Sequence, residues 1–326
     1  MKIMKKIGVL TSGGDAPGMN ACIRAITKFC LNHKIECVGI MDGYDGLIHQ
    51  KAINLGYDEV NNIIQRGGTI LGSARSKEFQ TVEGRKKAHA FITQLQIDGL
   101  IIIGGDGSLT GAKIFSDEFD FPIIGIPGTI DNDILGSDHT IGYDTAVNTV
   151  IEAVDKIRDT ASSHKRIFFV EVMGRDSGLI ALNSAIASGA ESVLIPEKNT
   201  DIEKLVEDIK EVHKGKRSAI IIVAEGDDAG DAVTIMKKVK PLLSDYDLRA
   251  TVLGHIQRGG NPTAYDRIIA TRMGIKAVEL LLENKSKLMI ATEGSKLVTR
   301  SIDFAEKKSP DTALTKLQII EQLRTK

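Results

Sequence analysis

The sequence has no excess of charge of either sign, no cysteine pair at the spacing of a metal or redox motif, and no long apolar run. Lys and Arg total 42 against 43 for Asp and Glu, whereas a nucleic-acid-binding protein normally carries a basic excess. Cys22, Cys30 and Cys37 are not spaced as CxxC, which favours reduced thiols in a cytosolic protein. The longest apolar run, 219–224, is too short to cross a bilayer, and the opening MKIMKKIGVL lacks the apolar stretch of a signal peptide. We therefore expect a cytoplasmic protein that binds neither nucleic acid nor a membrane.

Short apolar runs alternate with segments of helical periodicity along nearly the whole chain. The length of 326 residues exceeds what a single hydrophobic core usually organises, so two lobes are expected. The predicted strands are the runs 6–10, 37–41, 99–103, 123–126, 167–172, 192–195, 219–224 and 250–253. Several are unbroken runs of Ile, Val and Leu, as in parallel strands covered on both faces. One predicted helical face comprises Met19, Cys22, Ile23, Ile26 and Cys30. The alternation predicts an α/β protein with mainly parallel sheets, whose ligands bind beyond the carboxyl ends of the strands.

Two glycine-rich segments each follow a predicted strand and precede a predicted helix. In TSGGDAPGMN, residues 11–20, Gly13 and Gly14 allow backbone N–H groups to approach an anion. In IIIGGDGSLTGAK, residues 101–113, Asp106 could reach a magnesium ion or its waters. Neither segment is a dinucleotide GxGxxG or a Walker A sequence, because no GK[ST] follows. Either alone could be an ordinary tight turn or a capped helix, but the two together favour a phosphate site.

A third segment, PGTIDND at residues 127–133, follows another apolar strand and carries Asp131 and Asp133. One carboxylate could accept the proton of a hydroxyl group while the other orients groups or influences metal-bound water. The alternative is a solvated acidic turn. The residues 127–133 alone do not decide between these two interpretations.

Arginines lie at or beside the predicted strands, where they are less expected than on helix surfaces. They are Arg75, Arg166, Arg175, Arg249 and Arg258. Because guanidinium groups present planar, bidentate donors that match phosphate, this set suits two phosphate-bearing ligands, although any one alone is more often a surface ion-pair partner. The seven histidines show no metal-ligand spacing.

Taken in order, TSGGDAPGMN, GGTILGSAR, IGGDGS, PGTIDND, DTASSHKR, VMGRDSG and GHIQRGG resemble the motifs of the bacterial ATP-dependent 6-phosphofructokinases. IGGDGS is shared in kind with NAD and lipid kinases, whereas PGTIDND with VMGR and GHIQRGG is specific. The resemblance implies a glycolytic kinase that uses Mg²⁺ and converts ATP and fructose 6-phosphate to ADP and fructose 1,6-bisphosphate. It also implies two similar three-layer α/β lobes. Residues 1–140 and 256–305 would form the ATP lobe, and 141–255 with 306–326 the fructose 6-phosphate lobe.

The resemblance also implies roles for the residues that match the motifs. The ATP site would comprise Gly14, Arg75, Ser76, Gly105, Asp106, Gly107 and Ser108, with Asp106 as the metal ligand. The catalytic set would be Asp131 as the base, Arg175 on the transferring phosphoryl group, and Thr129 and Asp133. The sugar phosphate would contact Thr129, Ile130, Asp131, Arg166, Met173, Gly174, Arg175, Glu225, Arg249, His255, Ile256, Gln257 and Arg258.

The same resemblance implies a homotetramer with active sites shared between subunits. His255 and Arg258 of one chain would bind the 6-phosphate together with Arg166 and Arg249 of a neighbour. An effector pocket for ADP or phosphoenolpyruvate would comprise Arg24, Lys28, Arg158, Gly189, Glu191, Lys214 and Lys216. Strongly regulated family members usually carry arginine where this chain has Lys28 and Tyr57, so weaker regulation is expected.

Two alternative functions stay open at the level of sequence. In pyrophosphate-dependent phosphofructokinases, an Asp stands at the position of Gly107 and a Lys at that of Gly128, so two glycines here favour ATP. A non-catalytic sugar-phosphate sensor would keep the arginines but would not need Asp106 or Asp131.

Overall fold

The computed structural model describes residues 4–164, 166–213, 218–304 and 306–323. The strands in these ranges are β1 (Lys6–Ser12), β2 (Glu36–Ile40), β3 (Ala52–Leu55), β4 (Gly99–Gly104), β5 (Ile123–Pro127), β6 (Arg166–Val172), β7 (Ser192–Leu194), β8 (Ala219–Ala224), β9 (Asp247–Val252), β10 (Leu288–Glu293) and β11 (Lys296–Ser301). The α-helices are α1 (Met19–Asn32), α2 (Gly43–Ile48), α3 (Val82–Gln94), α4 (Asp106–Phe119), α5 (Tyr143–His164), α6 (Leu179–Ser188), α7 (Ile202–His213), α8 (Ala232–Val239), α9 (Ala264–Leu282) and α10 (Asp311–Leu323).

The chain forms two compact units, each built from separate stretches of sequence. The first unit takes its described residues from 4–129, 133–144 and 258–308, and the second from 130–132, 145–257 and 309–323. The assignment of ATP to one lobe and of the sugar phosphate to the other stays a prediction.

The first unit contains a seven-stranded sheet in the order β11-β10-β5-β4-β1-β2-β3. The five central strands pair in parallel, and the two outer pairs, β2 with β3 and β10 with β11, are antiparallel. The prediction of an α/β protein with mainly parallel sheets is therefore confirmed. Strands β3, β10 and β11 were not predicted from the sequence.

Helices cover the first unit's sheet because its strands are apolar on both faces. Residues of α2, α3 and α4, among them Leu47, Phe91 and Phe115, pack with Leu10 and Ile102 of the sheet. Every residue of the predicted apolar face of α1 is fully buried. Complete burial of one such side chain stabilises the fold by about 1.5–3 kcal/mol, so these contacts fix α1 and α4 on the sheet.

The second unit contains a four-stranded parallel sheet in the order β7-β8-β6-β9. Its core joins strand residues such as Phe169 and Ile221 to Leu205 and Ile209 of α7 and to Ile235 of α8. Strand β9 begins three residues before the predicted start, and its first residue pairs with the first residue of β6.

No helix within the described ranges is both long enough and apolar enough to span a membrane.

Candidate active site

The turn after β1 is held in place by two distant parts of the first unit. Gly13 has φ 90°, a left-handed conformation that favours glycine, and its carbonyl accepts a 2.7 Å hydrogen bond from Ser73 Oγ. Arg258 Nη1 donates to the carbonyl of Asp15 at 3.3 Å. A Cβ atom at Gly14 would lie 2.6 Å from the same Nη1 atom. Gly14 therefore allows a guanidinium group to lie directly against this turn.

The turn after β4 opens onto the N-terminus of α4. Gly104 has no room for a side chain, because a Cβ atom there would lie 2.7 Å from Ser108 Oγ. Gly107, in the first turn of α4, has no atom within 4 Å of the position that a Cβ would occupy. The neighbouring Asp106 carboxylate makes no hydrogen bond or ion pair with any residue that the structure describes. A helix N-terminus with open space beside its first turn is a favourable site for a phosphate group.

The predicted ATP residues Arg75 and Ser76 closely follow Gly72 and Ser73, which contact β1 and the turn after it. Thr11 Oγ1 donates to the carbonyl of Gly72 at 2.7 Å, which anchors that segment against β1. Arg75 is exposed and has no ion-pair partner within the described ranges, whereas Ser76 Oγ accepts the N–H of Phe79 at 3.3 Å. The Arg75 guanidinium is therefore available for a ligand anion.

The PGTIDND segment crosses from the first unit to the second and back. In the first unit, Thr129 is buried, and its carbonyl accepts a 2.6 Å hydrogen bond from Thr140 Oγ1. A Cβ atom at Gly105 would lie 3.7 Å from Thr129 Cβ, so the first unit places Thr129 beside the turn after β4. The carbonyl of Asp133 accepts the N–H of Lys308 at 2.7 Å.

In the second unit, the predicted base lies beside the predicted catalytic arginine. The Asp131 side chain is 5% exposed, and its Oδ2 atom is 3.9 Å from Nε of Arg175, whose side chain is 43% exposed. The two charges are thus close enough to interact while the arginine still reaches solvent. The neighbouring Ile130 is fully buried.

Arg175 lies in a loop, residues 173–178, whose backbone is bound by side chains. The N–H of Met173 donates to Gln257 Oε1 at 3.2 Å. The N–H groups of Gly174 and Arg175 both donate to Glu225 Oε1, at 3.3 and 2.9 Å. Five residues that were predicted to bind the sugar phosphate therefore form one network within the second unit.

The predicted phosphate-binding arginines Arg166 and Arg249 share one carboxylate. Arg166 Nε donates to Asp247 Oδ2 at 2.7 Å, and Arg249 Nη1 forms an ion pair with Asp247 Oδ1. The register of β6 and β9 explains this, because Arg166 pairs with Asp247 and Arg249 follows two residues later on the same face of the strand. The role of Asp247 was not predicted, since a lone Asp in the sequence gives no signal for it.

The GHIQRGG segment is divided between the units. His255 and Ile256 are exposed, and Gln257 is fully buried, all in the second unit. Arg258 belongs to the first unit, where it contacts the turn after β1 as described above.

The predicted effector residues form separate groups. Arg24 and Lys28 lie one turn apart on α1, and Lys28 Nζ is 5.8 Å from the centroid of the Tyr57 ring. In the second unit, Arg158 contacts Glu191 Oε1 at 3.4 Å and donates to the carbonyl of Gly189 at 3.1 Å. Lys214 and Lys216 lie outside the described residues.

Parallel sheets with glycine turns at the strand ends, exposed arginines and a buried carboxylate define the class: an α/β protein built to bind phosphorylated ligands. The chain belongs to the phosphofructokinase family, because the family model described as Phosphofructokinase matches residues 6–281. A protein named ATP-dependent 6-phosphofructokinase 2 from Bacteroides thetaiotaomicron is 51% identical over 324 residues, which cover 99% of each chain. The ATP-dependent 6-phosphofructokinase of Bacillus subtilis is 53% identical over 92% of this chain and 93% of its own.

Solved structures agree with this assignment. The phosphofructokinase of Saccharomyces cerevisiae superposes with a TM-score of 0.87 at 35% identity over 97% of this chain, which spans 47% of the yeast chain. A pyrophosphate-dependent phosphofructokinase from Marinobacter aquaeolei has a TM-score of 0.83 at 19% identity, covering 97% of this chain and 91% of its own. The second similarity concerns the fold alone, so the fold by itself does not distinguish ATP from pyrophosphate.

Proposed function

We propose that this chain transfers the γ-phosphoryl group of ATP to the 1-hydroxyl of fructose 6-phosphate. The relatives that match nearly its whole length at about half identity are named ATP-dependent 6-phosphofructokinases, which supports this activity. The structural observation that carries the proposal is the environment of Gly107. Its backbone is not left-handed, and no atom lies near its Cβ position, so neither conformation nor packing requires a glycine there. A triphosphate lying against the N-terminus of α4 would require one.

Gly107 and Gly128 carry unequal weight in the choice between ATP and pyrophosphate. A Cβ atom at Gly128 would lie 2.9 Å from Ile103 Cγ2 and 3.1 Å from Met19 Cε, so packing explains that glycine without a ligand. Of these two glycines, Gly107 is the one that lacks such an explanation. An Asp at Gly107 would place a carboxylate beside the phosphates, where like charges repel.

In the proposed mechanism, the sugar hydroxyl lies against Asp131, which positions it and accepts its proton as the phosphoryl group is transferred. Arg175 stabilises the negative charge of the transferring group, since its guanidinium is partly exposed yet lies next to the base. The proposed role of the network that binds the backbone of Met173, Gly174 and Arg175 is to hold this arginine in place.

The residues around Asp106 fit a magnesium ion that is bound mainly through the nucleotide. In the part of the chain that the structure describes, no three His, Cys, Asp or Glu side chains form a metal-binding group. Mg²⁺ commonly takes one or two carboxylates together with phosphate oxygens and water, which a single Asp106 carboxylate allows. When bound, the ion would neutralise charge on the phosphates.

The remaining assignments are part of the same proposal. Arg166 and Arg249 would bind the 6-phosphate of a neighbouring subunit's substrate in a homotetramer, and Asp247 would hold the two guanidinium groups together. The protein would act in the cytoplasm.

We also expect weak regulation by ADP or phosphoenolpyruvate. Lys28 lacks the planar fork of an arginine and interacts with Tyr57, whose hydroxyl donates to Asn32 Oδ1 at 2.8 Å. A fructose 6-phosphate saturation curve that ADP converts from strongly sigmoidal to hyperbolic would contradict this expectation.

Asp131→Asn tests the proposed chemistry. Because the amide cannot accept the proton, kcat is expected to fall roughly a hundredfold or more while both substrates still bind. The control is Asp266→Asn, since Asp266 is also buried but accepts a hydrogen bond from the N–H of Gly142. A kcat for Asp131→Asn within about tenfold of the parent would remove Asp131 from the role of base.

A further inference from the structure

Glu197 contacts the loop that carries the proposed catalytic arginine, at the end opposite Glu225. It follows β7, is half-buried, and accepts the N–H of Gly178 with both carboxylate oxygens, at 2.9 and 3.1 Å. Gly178 is the residue directly before α6. A Cβ atom at Gly178 would lie 2.7 Å from Glu197 Oε2 and 2.5 Å from Ile195 Cγ2, so the glycine permits this close approach.

The conformation of the loop needs such anchors. Gly174 has φ 144° and Arg175 has φ 53°, a left-handed conformation that an arginine seldom adopts without support. Glu225 binds the N–H groups at the first end of the loop. Glu197 accepts the N–H of Gly178 at the other end of the loop. The loop is therefore fixed by one carboxylate at each end.

The loop also contacts the proposed base. Ser177 Oγ donates to the carbonyl of Asp131 at 3.2 Å, and the N–H of Leu179 lies 3.4 Å from the same Oγ atom. The N–H of Ser177 donates to the carbonyl of Gly174 at 2.9 Å. A shift of Gly178 would therefore displace Ser177, and with it the backbone of Asp131.

We propose that Glu197 is a positioning residue for phosphoryl transfer: its bidentate contact with Gly178 fixes the loop that aligns Arg175 with Asp131. This inference rests on the proposed function, which assigns those two residues to catalysis. The two carboxyl oxygens of Glu197 satisfy a backbone N–H group at the start of a helix, where such groups have no partner within the helix. Catalysis depends on such support, because small displacements of reacting groups reduce rates steeply.

The test compares Glu197→Ala with Glu171→Ala. Glu171 is a matched control because its Oε2 accepts the N–H of Ala232, the first residue of α8, at 2.9 Å. Burial raises the pKa of both carboxyl groups. Each variant therefore loses a carboxylate bound to the start of a helix, and similar drops in melting temperature are expected. Only Glu197→Ala should lower kcat at saturating ATP and fructose 6-phosphate, by about tenfold or more.

The conservative variants keep the test informative if Glu197→Ala does not fold. Glu197→Gln retains an oxygen acceptor for Gly178 and should keep kcat within about threefold of the parent. Glu197→Asp is shorter by one methylene and should lower kcat as Glu197→Ala does. An equal loss of kcat for the Glu197 and Glu171 variants, or no loss for Glu197→Asp, would overturn the proposal.

Amide hydrogen exchange separates this proposal from the proposed function, because it does not need activity. Exchange of residues 174–178 should accelerate in Glu197→Ala and stay unchanged in Glu171→Ala. Unchanged exchange at 174–178 would overturn the positioning role. A parent protein that fails to phosphorylate fructose 6-phosphate would instead overturn the proposed function, whatever the exchange result.

Discussion

At the scale of single residues, Gly107 is a glycine that we attribute to the ligand, because the fold does not require it. Most glycines in the turns have a structural reason: Gly13 is left-handed, Gly14 lies against Arg258, and Gly104 against Ser108. Gly107 is in the first turn of α4 with open space around it. The residue therefore offers a test in which stability and activity should change in opposite directions.

Gly107→Ala should keep or raise stability, because alanine is favoured over glycine in helices by roughly 0.5–1 kcal/mol. Gly107→Asp should also fold. Both variants should raise the KM for ATP, and the Asp variant more strongly, because its charge repels the phosphates. Thermal unfolding and steady-state kinetics for each substrate measure the two effects. An equal rise in the KM for fructose 6-phosphate would indicate that Gly107 serves only the local turn.

At the scale of elements, the sequence predicted eight of the strands and missed β3, β10 and β11, of which β3 and β11 are the two edge strands of the first unit's sheet. The predicted runs are unbroken apolar segments, a pattern that comes from burial on both faces. Strand β3 has two exposed residues among its four, and β11 has no fully buried residue. Unbroken apolar runs identify strands that are buried on both faces, so the criterion that found β4 and β8 does not detect these two edge strands. Strand β10 was missed although four of its six residues are buried.

Contacts between distant parts of the chain could not be predicted from motifs. The resemblance assigned Gly14 and Arg258 to different ligands, yet the two are neighbours in the first unit although 244 positions apart in number. Glu197 and Asp247 carry no motif of their own. Glu197 accepts a hydrogen bond from the backbone of Gly178, and Asp247 binds Arg166 and Arg249. Only the tertiary structure brings these groups together.

The loop before α6 also gives a pH-dependent prediction. Burial raises the pKa of Glu197 despite the hydrogen bond from Gly178, so the folded protein favours the protonated carboxyl. The stability that Glu197 contributes is therefore present below the ordinary pKa of 4.5 and lost as pH rises through the raised value. The stability of Glu197→Gln relative to the parent should therefore increase as the pH is raised from about 4 to about 7.5.

Glu118, on α4, is a control for which the opposite dependence of stability on pH is expected. Arg85 donates two hydrogen bonds of 2.6 Å to Glu118 and lowers its pKa, so Glu118 contributes stability above its ordinary pKa that is lost as pH falls. Glu118→Gln should therefore lose stability relative to the parent as pH rises. Denaturant midpoints at both pH values measure these trends. A falling relative midpoint for Glu197→Gln with rising pH would show that its carboxylate is stabilised in the folded protein.

At the scale of the whole molecule, the proposal of shared active sites predicts complementation between inactive chains. Arg249→Ala removes a group that would act on a neighbour's substrate, whereas Asp131→Asn removes the base of its own site. Hybrids formed by dissociation and reassembly should therefore contain some intact sites and recover part of the activity. Reassembled samples of each variant alone are the control. No recovery in verified hybrids would mean that each site is built within one chain.

The central claim is that this member of the phosphofructokinase family uses ATP, and the fold leaves that choice open because it is shared with pyrophosphate-dependent proteins. The most direct measurement is the formation of fructose 1,6-bisphosphate by the purified chain with either ATP or pyrophosphate as donor, in the presence of Mg²⁺. We predict that kcat/KM for ATP exceeds that for pyrophosphate by at least about a hundredfold, or about 2.7 kcal/mol. An equal or greater kcat/KM for pyrophosphate, or no product with either donor, would contradict the account.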